Sequence, residues 1–185
     1  YAFMDKYEVL KQYFGYDAFR DGQEKMIDAI TSGRDVLGIM PTGAGKSLCY
    51  QIPALMAGEN GGITLVISPL ISLMKDQVSA LNQAGVHAAY LNSSLTSGQY
   101  YKALGYAREG RYPIIYVAPE RLLTPEFLDF AVYAKIAMVA VDEAHCVSQW
   151  GQDFRPGYLK IEEFLCTLPK RPVVSAFTAT ATAEV

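Results

Sequence analysis

A chain of 185 residues, 51% hydrophobic and 19% charged, is long enough to close one sizeable core at the usual ~100–200 residues per domain, and its composition is that of a globular protein. No apolar run approaches the ~18–20 residues that cross a bilayer, the opening Tyr1-Ala2-Phe3-Met4-Asp5 has no signal-peptide layout, and a formal charge of −3 excludes a global basic field, leaving local patches to hold any acidic partner. The three cysteines, Cys49, Cys146 and Cys166, are odd in number and form no C-x-x-C pair, so they read as reduced, small apolar core residues of a soluble cytoplasmic chain.

In chain order, helical spacing of apolar residues from Asp5 to Phe14 and from Asp21 to Ile30, the second ended by Gly33, predicts a short helical segment within residues 1–33. Apolar runs rich in β-branched residues then predict strands at Val36 to Met40, Ile63 to Ser68, Val86 to Tyr90, Ile114 to Val117, Met138 to Val141 and Val173 to Phe177. Helical patterns fall between them at Leu48 to Met56, Leu70 to Ala84, Ser97 to Arg108, Pro125 to Ala134 and Tyr158 to Leu168. Strands alternating with helices argue for βαβ units, and strands apolar on both faces argue for a mostly parallel sheet with helices on both sides, so residues 1–185 read as one α/β domain. Ligands of such sheets bind at the carboxyl ends of the strands. The last residues, Thr182-Ala183-Glu184-Val185, read as the opening of another helix, so a piece of a longer protein is expected.

The stretch Pro41-Thr42-Gly43-Ala44-Gly45-Lys46-Ser47 lies between an apolar strand and a helix pattern. Backbone N–H groups of such a turn and of the first helical residues point at one spot, and the helix dipole adds positive potential there, which makes a phosphate cradle. Lys46 is placed to reach terminal phosphates, and the Ser47 hydroxyl to ligate the Mg²⁺ that accompanies a nucleoside triphosphate. The strict pattern wants glycine where Met40 stands, so the match runs from Thr42 onward. An ordinary glycine-rich turn is the bland alternative, and it seldom carries Gly-x-Gly-Lys-Ser at a helix start.

A second constellation, Val139-Ala140-Val141-Asp142-Glu143-Ala144-His145, sets two adjacent carboxylates at the end of an apolar strand. Asp142 is placed to hold Mg²⁺ and Glu143 to orient and deprotonate an attacking water. Alone, the pair would read as acids capping a helix N-terminus. With a phosphate cradle on another strand, chemistry is the better reading, and His145 becomes a coupling residue.

Asp142-Glu143-Ala144-His145, with the cradle and the later Thr178-Ala179-Thr180, resembles the superfamily 2 helicases. Cys146-Val147-Ser148-Gln149-Trp150-Gly151-Gln152-Asp153-Phe154-Arg155-Pro156 resembles the aromatic-rich loop of one branch, the RecQ-family DNA helicases. Gly15 to Gln23 is similar to the family's adenine-reading motif, Ser68 to Gln77 to a strand-contacting motif, and Tyr116 to Leu122 to a further one. The resemblance covers nearly the whole chain and implies the first of two RecA-like lobes of an ATP-dependent 3′-to-5′ DNA helicase. It implies that Tyr16 and Arg20 flank the adenine and Gln23 bonds its edge, an amide presenting donor and acceptor together. It further implies that Trp150 and Phe154 stack on single-stranded or partly duplex DNA, that Arg155 senses strand or phosphate, and that Ser148, Gln149, Thr178 and Thr180 serve DNA contact or coupling. Stacking on exposed aromatics contributes roughly 1–3 kcal/mol per base. ATP and Mg²⁺ are the implied cofactors, DNA and a second RecA-like lobe the partners, and the cytoplasm, or the nucleoid of a bacterium, the place. Gln152 stands where the family usually has histidine, and Ala44 where it usually has glycine. Two other classes stay in view: a nucleotide- and DNA-binding module without meaningful turnover on its own, and a P-loop kinase, against which the paired acids and the aromatic loop both speak.

Overall fold

The computed structural model describes residues 3–40, 45–144 and 155–178, with side chains at all of these except 155–158. Six strands form one parallel sheet: β1 (Val36–Ile39), β2 (Ile63–Ile67), β3 (Ala88–Leu91), β4 (Ile114–Val117), β5 (Ile136–Val141) and β6 (Val173–Thr178), in the spatial order β1-β6-β5-β2-β4-β3. The helices are α1 (Lys6–Val9), continued by a π-helical turn at Leu10–Phe14, then α2 (Gln23–Thr31), α3 (Lys46–Gly58), α4 (Ile71–Gln83), α5 (Ser97–Arg108), α6 (Pro125–Tyr133) and α7 (Arg155–Thr167). The expected α/β architecture is therefore observed.

Alternation along the strands sorts the core into two layers. Val66, Tyr116, Met138, Ala140 and Phe177 face α1 to α4, meeting Leu10, Ile27, Ile52 and Met74. Leu65, Ile67, Ile115, Val139 and Val141 face α5 to α7, meeting Leu104, Phe127 and Phe164. The two phenylalanines are fully buried, with ring centroids 5.6 Å apart. Burying each is worth about 1.5–3 kcal/mol. On β1 the second layer is incomplete: among the described residues no helix covers that face, and Leu37 (68%) and Ile39 (50%) are exposed.

Several expected boundaries move, two of them for reasons visible in the local backbone. Strand β3 begins at Ala88 and not at Val86, because Gly85 has φ +93° and the N–H of Val86 returns to Leu81 O (2.9 Å), so both residues end helix α4. A left-handed glycine in that place is the common helix stop. Helix α3 begins at Lys46, directly after Gly45. Of the cysteines, Cys49 is buried, its thiol pushed up to about 12 by burial, whereas Cys166 is exposed and is no core residue; Cys146 lies outside the described residues. No helix among the described residues is long and apolar enough to cross a membrane.

The edge strand is stapled where it starts. Asp35 accepts from both terminal nitrogens of Arg171 (3.2 and 2.7 Å) and from the N–H of Val174 (2.9 Å), joining the chain before β1 to β6. The Arg171 guanidinium and then the Val174 N–H hold the Asp35 carboxyl below its usual range. A carboxyl group with a depressed native pKa stabilises the fold above its unfolded pKa of about 3.9, and that contribution is lost as pH falls through the native value. Asp35→Ala is therefore expected to lower the thermal midpoint slightly at pH 7 and to make no difference once both forms are protonated; equal midpoints at pH 7 would show the staple to be inert.

Candidate functional site

β1 is an edge strand: the chain leaves it for β2, on the far side of β6 and β5, and returns to fill that gap only with β5 and β6, so the ends of β1, β6 and β5 lie side by side along one rim. Met40, where the strict cradle pattern has glycine, is buried with its sulfur 3.7 Å from that of Cys49, so at this position the side chain belongs to the core. Its N–H bonds Thr178 O (3.1 Å), which sets Thr178, half-buried at the end of β6, between the two strands that carry the site.

Gly45 precedes α3 with φ +74°, and a Cβ there would lie 2.5 Å from Gln23 Nε2. Both the left-handed backbone and the close approach require glycine. From this turn Lys46 projects across the rim to the carboxylates at the end of β5, ion-paired with Glu143 and with its Nζ 3.5 Å from Asp142 Oδ1. Residues 97 positions apart thus close one site.

Glu143 is held in the left-handed region at φ +52°, the one non-glycine residue so placed among the described residues. Such a conformation costs roughly 1–2 kcal/mol for an L-residue, and strain of this kind concentrates where function over-determines the backbone. Asp142 is 3% exposed. Its Oδ1 accepts the Glu143 N–H (3.0 Å) on the Lys46 side, and its Oδ2 accepts from the Tyr50 hydroxyl (3.2 Å) on the core side. Burial pushes the Asp142 carboxyl above the ordinary carboxylate range, opposed by the charge of Lys46. A buried anion of this kind requires a cation.

Among the described residues no group of three or more His, Cys, Asp or Glu could hold a metal. The oxygens available, the Asp142 carboxylate beside Lys46 and the Ser47 hydroxyl in the first turn of α3, are of the kind that Mg²⁺ takes, commonly one or two from protein with substrate phosphates and water completing the shell.

Beside the rim, Tyr16, Arg20, Gln23, Gly45 and Ser47 line one cavity of about 510 Å³, floored by apolar residues of α4 and by Tyr13 and Phe14. This is the size of a small-molecule site. Tyr16 and Arg20, which line it, are both exposed. Gln23 differs from a residue standing open to a ligand: it is 1% exposed, its Oε1 accepts the Arg20 N–H (2.8 Å) and its Nε2 donates to Gly45 O (2.9 Å). It ties the segment before α2 to the turn before α3. Thr42, Gly43, Ala44, His145, Ser148, Gln149, Trp150, Gln152, Phe154 and Thr180 lie outside the described residues, and Arg155 is placed by its backbone alone, as the first residue of α7.

The sequence analysis did not single out Tyr50, Gln51 and Tyr116 as site residues. Tyr50 and Tyr116 are fully buried, yet their hydroxyls approach to 3.3 Å, Gln51 Nε2 donates to Tyr116 OH (3.0 Å), and Tyr50 OH reaches both Asp142 and Gln77 Oε1 (2.9 Å). The signal available in sequence was only that polar and aromatic residues follow the lysine of the cradle.

The sequence matches the DEAD/DEAH box helicase family over residues 20–185. It is 52% identical over 178 residues to the ATP-dependent DNA helicase RecQ of Bacillus subtilis, covering 96% of this chain and 30% of that protein. It is 50% identical over 173 residues to RecQ of Haemophilus influenzae, covering 94% and 27%. The chain therefore spans about 30% of the length of the curated relatives it matches. Among solved structures, the DUF1998 helicase MrfA bound to DNA and AMPPNP superposes with a TM-score of 0.77 at 18% identity, over 97% of this chain and 26% of that one, a likeness of fold. The RecA-like α/β arrangement expected from the motifs is thus observed. With the matched region taking in the cradle, the paired acids and every strand of the sheet, the chain belongs to the DEAD/DEAH box helicase family, and along its length its sequence is similar to the RecQ DNA helicases.

Proposed function

We propose that this chain is the ATP-binding lobe of a RecQ-like 3′-to-5′ DNA helicase, which couples ATP hydrolysis to movement along single-stranded DNA and to strand separation. The observation that carries this reading is the convergence of Lys46, Asp142 and Glu143 at the ends of β1 and β5. Lys46 binds the terminal phosphates, Asp142 and Ser47 hold Mg²⁺, and Glu143 takes the proton of the attacking water. Mg²⁺, when bound, neutralises charge on the phosphate oxygens. The base sits in the cavity between Tyr16 and Arg20, with Gln23 holding that cavity in register with the phosphate turn. Roles for His145, Ser148, Gln149, Trp150, Phe154, Arg155 and Thr180 at the DNA, and for a second RecA-like lobe closing over the nucleotide, rest on the resemblance to RecQ helicases. A cytoplasmic or nucleoid location goes with that work.

Steady-state hydrolysis of Mg-ATP by the full-length protein, with and without an oligonucleotide, tests this reading. Single-stranded DNA is expected to stimulate turnover more than blunt duplex does, and the stimulation to fade as salt rises and phosphate contacts weaken. Turnover indifferent to DNA would leave a nucleotide hydrolase and remove the helicase.

A further inference from the structure

The hydroxyl of Tyr50 is the point at which three elements meet the rim from below. It lies 2.9 Å from Gln77 Oε1 on α4, 3.2 Å from Asp142 Oδ2 after β5 and 3.3 Å from Tyr116 OH on β4. A phenol carries one hydrogen. Gln51 donates to Tyr116 OH, so the hydrogen of Tyr116 can be turned toward Tyr50, and Tyr50 then divides its own between the Gln77 amide oxygen and the Asp142 carboxylate. Burial keeps Tyr50 protonated throughout, its hydroxyl pushed well above its usual pKa.

The two oxygens of Asp142 face different ways. Oδ1 looks toward Lys46 and takes the Glu143 N–H, and Oδ2 is turned inward. Carboxylates that ligate metals are oriented by hydrogen bonds to the oxygen that does not face the ion, and losing such a partner typically lowers metal affinity about 10–100-fold. We propose that Tyr50 is a positioning residue for the metal-binding carboxylate, holding Asp142 with Oδ1 toward the phosphates and tying Oδ2, through Gln77, to helix α4. The inference rests on the reading of Asp142 as a metal ligand. Tyr50 shares one hydrogen between Asp142 Oδ2 and Gln77 Oε1, so a carboxylate that held Mg²⁺, being the poorer acceptor, would leave more of that hydrogen to Gln77. Helix α4 then feels whether the site is loaded.

The test is a Mg²⁺ titration of ADP binding, followed by calorimetry, in the wild type, Tyr50→Phe and Asp142→Asn. Tyr50→Phe is expected to raise the Mg²⁺ midpoint about 10–100-fold, with the loss confined to the Mg²⁺-dependent part of ADP affinity. A loosened core would weaken metal-free binding as well. If Asp142→Asn abolishes the Mg²⁺ dependence while Tyr50→Phe leaves the midpoint in place, Tyr50 does not position the carboxylate and the inference fails alone. If Asp142→Asn leaves the dependence intact, the metal reading fails and takes the inference with it. Gln77→Leu gives a second route that does not disturb a fully buried residue. Amide exchange across α4 should respond to Mg-ADP in the wild type and not in Gln77→Leu, and a response that persists in the variant would overturn the link to α4.

Discussion

Glu143→Gln is expected to lower ATP hydrolysis by the full-length protein about 10²–10⁴-fold, the usual contribution of a positioned general base. The substitution keeps the shape and leaves the Asp142 carboxylate in place, but an amide cannot take a proton from water. The strained backbone of Glu143 and its ion pair with Lys46 give the variant a second expected property. Under the proposed assignment nucleotide phosphates would compete with Glu143 for the Lys46 ammonium, so removing the carboxylate charge removes a competitor. Mg-ATP should bind Glu143→Gln at least as tightly as the wild type in a calorimetric titration while turnover collapses. A variant that hydrolyses ATP at the wild-type rate would show that the proton goes elsewhere, and one that loses binding together with turnover would make Glu143 a structural residue of the cradle.

What was legible in the sequence is what spacing encodes. Gly45 and Lys46 were readable because a strand, a glycine turn and a helix start leave few alternatives, and the structure supplies the reason in the left-handed φ of Gly45 and its contact with Gln23. Asp142 and Glu143 were readable because an apolar strand ends on them. The sheet itself followed from runs apolar on both faces. Less legible was anything that depends on which side chains the topology brings together. Tyr50 and Tyr116 have the look of core aromatics, and only the placement of α3 against β4 turns their hydroxyls toward one another and toward Asp142. Gln23 is a related case. Its identity suggests a donor and an acceptor offered to a base, and the fold adds what no local pattern specifies, bonds from the same amide to the backbone of Arg20 and Gly45. The exposed Cys166, the displaced start of β3 and the bare face of Leu37 and Ile39 belong to the same category, set by helix ends and by neighbours that no local pattern specifies.

Lys46→Ala is expected to remove nucleotide binding altogether. The lysine supplies the ammonium that is paired with the carboxylates of Asp142 and Glu143. Its loss leaves two acids, one of them the buried Asp142, facing a polyanion with no ammonium between them. Charge-assisted hydrogen bonds of the kind an ammonium makes to phosphate are roughly twice as strong as neutral ones, so the remaining donors cannot make good the difference. Calorimetric titration of Mg-ATP into the wild type and into Lys46→Ala, with folding of both checked by thermal melting, is the most direct test that the residues following β1 and β5 form one ATP site. Saturable heat for the wild type and none for the folded variant is the predicted result. Equal affinity for the two proteins would contradict the assignment and place the nucleotide, if it binds at all, away from the rim of β1 and β5.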